Sequence, residues 1–199
     1  MSKVHLAKWC AGALLVSFIT TSQAATISLN PLSQDVALGN QVSLQLNMDF
    51  TDDPTLGGGL DIFFDNGLLS FVSFTFDPGL GDDPCLQRQP DVLTPDVYTG
   101  QLSGLAFGNF DGLSGPSPVG TLTFQTLDAG TAYFGMADNV APVGPFYSAQ
   151  TFDQQTVVYD ASAVVNITAV PLPATLWFML SGVGWMGLIF KKSRAARDC

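Results

Sequence analysis

The residues of this chain that could do chemistry are almost all aspartates. All seventeen acidic residues are Asp, there is no Glu, and His5 is the only histidine. Two carboxylates flanking a bond are the machinery of glycoside hydrolysis. Sixteen Asp scattered through residues 26–169 supply many such pairs by chance. Nucleophilic triads and thiol–imidazole pairs need a histidine, and so does a His-based zinc site. His5 lies in a segment that reads as a cleaved leader, so the expectation is a protein that is not an enzyme. Hard oxygen ligands gather at Asp49, Asp52 and Asp53, and again at Asp77, Asp82 and Asp83. Ca²⁺ takes such ligands near turns. Neither group matches a D-x-[DN]-x-[DN]-G loop, and Asn109-Phe110-Asp111-Gly112 matches only a fragment of it. Aspartate is also a turn former in its own right. No cofactor is therefore expected, with Ca²⁺ the one candidate. A third possibility is aromatic contact. Tyr98, Phe146, Tyr147 and Phe152 lie in or beside loops, where a ring can stack on a sugar or a partner or else cap the core.

Charge narrows the partners. Sixteen Asp in residues 26–169 face one base, Arg88, a formal charge of −15. Nucleic acid and anionic surfaces are unfavourable partners for such a domain. Of Cys10, Cys85 and Cys199, only Cys85 falls in this region, which rules out an internal disulfide there.

These side chains must be positioned by strands. Val42, Leu44, Leu46 and Met48 alternate with Ser43, Gln45 and Asn47, the period of a half-buried strand. Leu60 to Phe64, Leu68 to Phe76, Val119 to Thr126, Ala132 to Met136, Val157 to Tyr159 and Ala163 to Thr168 complete the set. Phe71, Phe74 and Phe76 do not share a parity, which predicts a bulge or a two-sided burial. Asp65-Asn66-Gly67 is a tight-turn signal. Gly57-Gly58-Gly59 reads as a flexible joint, and 77–96, 108–118 and 138–155 read as long connections. No helical period precedes residue 170. The fold class is all-β, an antiparallel β-sandwich spanning 26–169.

Both ends carry addresses. Lys3 and Lys8, the apolar stretch Ala11 to Thr20 and Ser22-Gln23-Ala24 form a secretory signal peptide over residues 1–25, with cleavage after Ala24 or Ala25. Cys10 precedes the apolar core, unlike a lipobox cysteine. At the other end, Val170-Pro171-Leu172-Pro173-Ala174 leads into an uncharged run to Phe190. As a helix this run spans roughly 25 Å, the short end of a transmembrane span. The basic tail 191–199, with Lys191, Lys192 and Arg194, holds that end in the cytoplasm.

Residues 170–199, with Val170, Pro171, Pro173 and Ala174, then Trp177, Phe178, Ser181 and Gly182, then the basic tail, resemble the PEP-CTERM sorting signal of exopolysaccharide-producing Gram-negative bacteria. Leu172 stands where that motif has Glu, a V-P-L-P-A version. The resemblance implies an inner-membrane-anchored precursor, cleavage near the motif by an exosortase, and delivery to the cell surface or extracellular matrix. Signal peptidase and exosortase are then its processing partners. Leu172-Pro173-Ala174-Thr175 also resembles the L-P-x-T-G sortase motif, with Leu176 in place of Gly. A plain anchor without processing is the third alternative. The same type of signal occurs on some ice-binding proteins, but Thr121 and Thr123 make a single unit of a threonine array. Val36-Ala37-Leu38-Gly39-Asn40-Gln41-Val42, Gly59 to Val72, and Val119 to Phe124 followed by Ala129-Gly130-Thr131 resemble cohesin-like and carbohydrate-binding-module-like sandwiches of jelly-roll type. This implies a non-catalytic surface or biofilm-matrix protein. Its external partner would be an extracellular polysaccharide or another surface protein.

Overall fold

The computed structural model describes residues 24–93 and 100–169, and every structural statement below concerns them. Leader residues 1–23, the sorting motif 170–174, the apolar run, the basic tail and Tyr98 lie outside these residues. Twelve strands and no helix occur among the described residues. Strands β11 (Val157–Asp160), β1 (Ala25–Asn30), β3 (Gln41–Asp49), β8 (Ser117–Thr126) and β5 (Leu69–Phe76) form a five-stranded sheet in that order. The seven-stranded sheet runs β2 (Ser33–Ala37), β12 (Val164–Thr168), β9 (Gly130–Asp138), β4 (Thr55–Phe64), β7 (Gly100–Leu113) and β6 (Asp91–Val92). The short β10 (Tyr147–Ser148) joins it by pairing with β4.

Alternation decides which side chains meet between the sheets. Val42, Leu44, Leu46 and Met48 of β3 are buried, and so are Leu122 and Phe124 of β8 and Leu60 and Ile62 of β4. Phe124 sits at the centre, its ring 5.1 Å from Phe64, 5.8 Å from Phe71 and 5.4 Å from Phe134. The β5–β8 register slips between Phe71 and Ser73, so the uneven parity there goes with a break in regular pairing. Asp65-Asn66-Gly67 does form the tight turn. Gly67 N donates to Asp65 Oδ1 at 3.0 Å, and the chain crosses there from one sheet to the other.

The fold differs from the expectation in four places. The sandwich is not wholly antiparallel, because β1 pairs β11 and β2 pairs β12 in parallel. These pairs bring the first and last described strands together in both sheets. Gly57-Gly58-Gly59 is no joint but the middle of β4. Residues 108–118 are not a long connection. They finish β7 and start β8, leaving only 114–116 between them. Strand β7 itself, the longest in the structure, escapes the period-two rule. Gly104 has φ +70 and its pairing with β4 slips between Leu60 and Ile62, so alternation breaks midway.

One tie crosses the sandwich. Tyr159 of β11 donates its hydroxyl to Asp138 Oδ1 of β9 at 2.5 Å. Burial first, then the Asp138 carboxylate and more weakly that of Asp61, push the phenol well above its ordinary range. A raised folded pKa means the protonated phenol stabilises the fold. That contribution is whole below the unfolded pKa of about 10 and declines as pH rises beyond it. Urea unfolding of the wild type and Tyr159→Phe should therefore show a clear stability gap at pH 8 that narrows at pH 11. A constant gap would mean that the hydroxyl is not held in this way.

Candidate binding face

The outer faces of the two sheets differ in chemistry. On the five-stranded sheet, Thr121 lies between Gln45 and Thr75, and Thr123 lies between Ser43 and Ser73. This face is uncharged over its centre and rich in hydroxyls and amides. The neighbours of the Thr pair are Thr75, Ser43, Ser73 and Gln45, so no regular Thr column forms across the strands.

The seven-stranded sheet carries a groove instead, and glycines make it. Gly57 (φ +126) pairs with Gly108, Gly58 with Phe107, and Gly59 with Ala106. A Cβ on Gly57 would lie 2.6 Å from Gly108 Cα, and one on Gly108 would lie 2.4 Å from Leu56 O. No side chain fits between the strands there, so a trough of about 210 Å³ opens across β4 and β7. Leu86 stands on one wall, Val143 and Pro145 on the other, with Phe110 and Tyr147 at the rim. Phe110 is 73% exposed. With Leu86, Val143 and Tyr147 on the same groove it forms a contiguous apolar patch, and such patches mark contact surfaces.

Hydrogen bonds hold both walls. On the β10 side, Asp61 accepts from Gln101 Nε2 (3.1 Å), Ser103 Oγ (3.0 Å), Gly104 N (2.9 Å) and Asn139 Nδ2 (2.7 Å). Asn139 is buried, and its Oδ1 accepts from Val143 N at 2.9 Å, which sets the Val143 wall. Gly59 N donates to Gly144 O, and Asn139 N donates to Gly59 O. Tyr147 is held by Thr55 Oγ1 donating to its carbonyl, while Ser148 Oγ donates to Asp53 Oδ1 at 2.6 Å. On the Leu86 side, Asp83 N donates to Gly108 O at 2.8 Å, and Arg88 and Ala106 exchange backbone bonds. The Arg88 guanidinium pairs with Asp91 at 2.5 Å, the one ion pair among the described residues. Both side chains are well exposed, so the pair adds little stability.

The sequence-predicted residues scatter around this groove. Asp49 Oδ1 accepts from Thr51 N and Oγ1, Asp77 Oδ1 from Gly79 N, Asp82 Oδ1 from Gln87 Nε2, and Asp83 Oδ1 from Cys85 N. Asp49, Asp77 and Asp83 thus work within local turns, while Asp82 holds the Gln87 side chain. Among the described residues no three metal-ligating side chains converge, and Asp49, Asp52 and Asp53 are not brought to Asp77, Asp82 and Asp83. Cys85 is a free, exposed thiol. Ala25 opens β1 opposite Val157, one residue after Ala24.

The aromatic set divides. Tyr147 lies on the groove. Phe146 is fully buried, its ring 5.4 Å from Phe50 and 5.3 Å from Phe107, so it caps the core. Phe152 is exposed on the turn after β10, in the left-handed region at φ 63. Phe110, Leu86 and Val143 were not anticipated. The available signal was the glycine triplet, where a strand without side chains calls for something to fill or use the space.

No family model matches the sequence. No curated protein matches it either. Solved structures do. CaCohA2 from Clostridium acetobutylicum, in solution, shares 14% identity over 73% of this chain and 92% of its own, with a TM-score of 0.56. CaCohA2 in complex with CaDoc0917 shares 11% identity over 74% of this chain and 100% of that chain, at 0.53. A type II cohesin domain from the cellulosome of Acetivibrio cellulolyticus shares 18% identity over 72% and 94%, at 0.48. The chain has a cohesin-like, all-β two-sheet fold, and identities this low show the fold alone.

Proposed function

We propose that this chain is an exported, non-catalytic surface or matrix protein that holds a protein partner on the outer face of its seven-stranded sheet. The groove carries the reading. It joins a rigid glycine floor, a buried polar network that fixes one wall, and exposed Phe110 and Tyr147 at the rim. Rigid anchoring pockets with aromatic rims are how small interfaces gain most of their affinity. The groove residues include no acid–base pair or nucleophile. Among proteins of this fold, CaCohA2 is itself seen in a complex with a second protein. Export rests on the leader, and delivery rests on the PEP-CTERM-like C-terminus and its exosortase.

A second reading places an extracellular polysaccharide on the five-stranded sheet. It is favoured by a broad trough of about 430 Å³ lined by Asn30, Pro31, Ser43, Gln45 and Thr121, all uncharged. Carbene labelling of the protein on intact cells, compared with the purified chain, separates the two. Protection of Phe110 and Tyr147 supports the first; protection around Ser43, Gln45 and Thr121 supports the second. The same preparation tests delivery by intact mass. Mature protein that still carries 191–199 would refute exosortase processing.

A further inference from the structure

The groove offers little that a sugar needs. Its walls are Leu86, Val143 and Pro145 and its floor is glycine backbone, with the Tyr147 hydroxyl the one polar side-chain group on it. Sugar hydroxyls buried there would lose water without finding partners, at a cost of roughly 1–3 kcal/mol each. An apolar side chain loses nothing. The volume of about 210 Å³ exceeds the roughly 150 Å³ that takes a benzene ring, enough for one bulky side chain.

The surroundings of the groove are anionic. Asp83 N bonds Gly108 O, so Asp82 and Asp83 stand beside the glycine floor. Asp111 follows Phe110 on β7, and Asp53 binds Ser148 next to Tyr147. Asp83, Asp111 and Asp53 thus stand in segments next to the apolar trough, none of them on its lining. Across the described residues fifteen Asp face one cation, and Arg88 is already engaged with Asp91. Such a field repels acidic segments and draws in basic ones.

We propose that the groove takes one bulky apolar side chain of a basic protein segment, whose Lys or Arg residues meet Asp83 and Asp111. This rests on the groove being the binding face and names the chemistry of its partner. The apolar side chain is the anchor and sits between Leu86 and Val143. The flanking cations lie over the carboxylates and over the Phe110 ring, an arrangement that also allows a cation–π contact.

The test uses the full chain and four dye-labelled octapeptides read by fluorescence anisotropy. The first is Gly-Lys-Lys-Leu-Phe-Lys-Lys-Gly. The others replace Lys by Asp, Lys by Ser, or Leu-Phe by Gly-Gly. The first should bind about tenfold more tightly than each of the others, and should weaken severalfold between about 50 and 300 mM salt. Phe110→Ser should weaken it about fivefold or more with an unchanged urea midpoint, because Phe110 is exposed. The pair Asp83→Asn and Asp111→Asn should flatten the salt dependence. Equal binding of the Ser peptide, lost with Phe110→Ser, would overturn the basic partner while leaving the groove as the binding face. Equal binding of the Gly-Gly peptide, untouched by Phe110→Ser, would overturn both. No binding by any peptide would overturn the basic segment, and the cell-surface labelling would then judge the face by itself.

Discussion

Gly58→Ala should cost roughly 3 kcal/mol or more, a larger loss than overpacking usually brings. The added methyl would sit 2.5 Å from Phe146 Cα and 2.6 Å from both Phe146 N and Pro145 O. All three are backbone atoms, so no side-chain rotation relieves the contact. Either β4 or the 145–147 segment must move. Moving 145–147 draws Phe146 out of its contacts with Phe50 and Phe107 and displaces Pro145 and Tyr147 from the groove. Binding and stability should therefore fall together. Gly135→Ala is the control. Its methyl would meet Phe63 Cβ at 3.6 Å, an ordinary contact, and no positive φ is recorded for it. It should shift the urea midpoint little. If Gly58→Ala behaved like Gly135→Ala, the packing of 145–147 against β4 would be wrong.

Asp61→Ala should cost roughly 3 kcal/mol, since it removes one acceptor from four donors at once. Gln101 can turn to water, and Asn139 Nδ2 keeps the Ala141 carbonyl at 3.1 Å. Ser103 is buried and the Gly104 amide is fixed in β7, so these two are left without their acceptor. Asp61→Asn keeps the shape but swaps an acceptor for a donor, so it should fall between. The effect should travel to the groove, because Asn139 positions Val143 N as well as donating to Asp61. Amide exchange reports it. The Gly104 and Val143 amides should lose protection in Asp61→Ala, while Leu44 at the sandwich centre should keep its own. Loss confined to Gly104 would mean that the network does not hold the wall.

Much of the sandwich was legible because burial on one face imposes period two. Val42 to Met48 and Val119 to Thr126 follow that period for this reason, and the uneven parity of Phe71, Phe74 and Phe76 coincides with the register slip between Phe71 and Ser73. What could not be read depended on partners distant in the chain. Gly57-Gly58-Gly59 looks like a joint until Gly108 and Phe146 are placed against it. The same close approach makes the groove, so misreading the triplet hid the site. Phe110 sat in a calcium-loop fragment and drew attention as a spacer between Asn109 and Asp111. Only the structure shows it exposed beside Leu86 and Tyr147. The parallel pairs β1–β11 and β2–β12 join residues more than a hundred positions apart, and no local pattern announces them. The aspartates are the loudest chemical signal in the sequence. Asp49, Asp77 and Asp83 each accept within a local turn and Asp82 holds Gln87, whereas Asp61 organises the buried network.

The central claim is that the protein works through the outer face of its seven-stranded sheet. Carbene labelling with residue-level mass spectrometry, on intact cells of the native host and on the purified chain, tests it most directly. Phe110 and Tyr147 should be labelled freely in the purified chain and protected on the cell, with Val72 and Val158 at the other sheet labelled alike in both. Equal labelling of Phe110 and Tyr147 in the two preparations, with protection elsewhere, would contradict it.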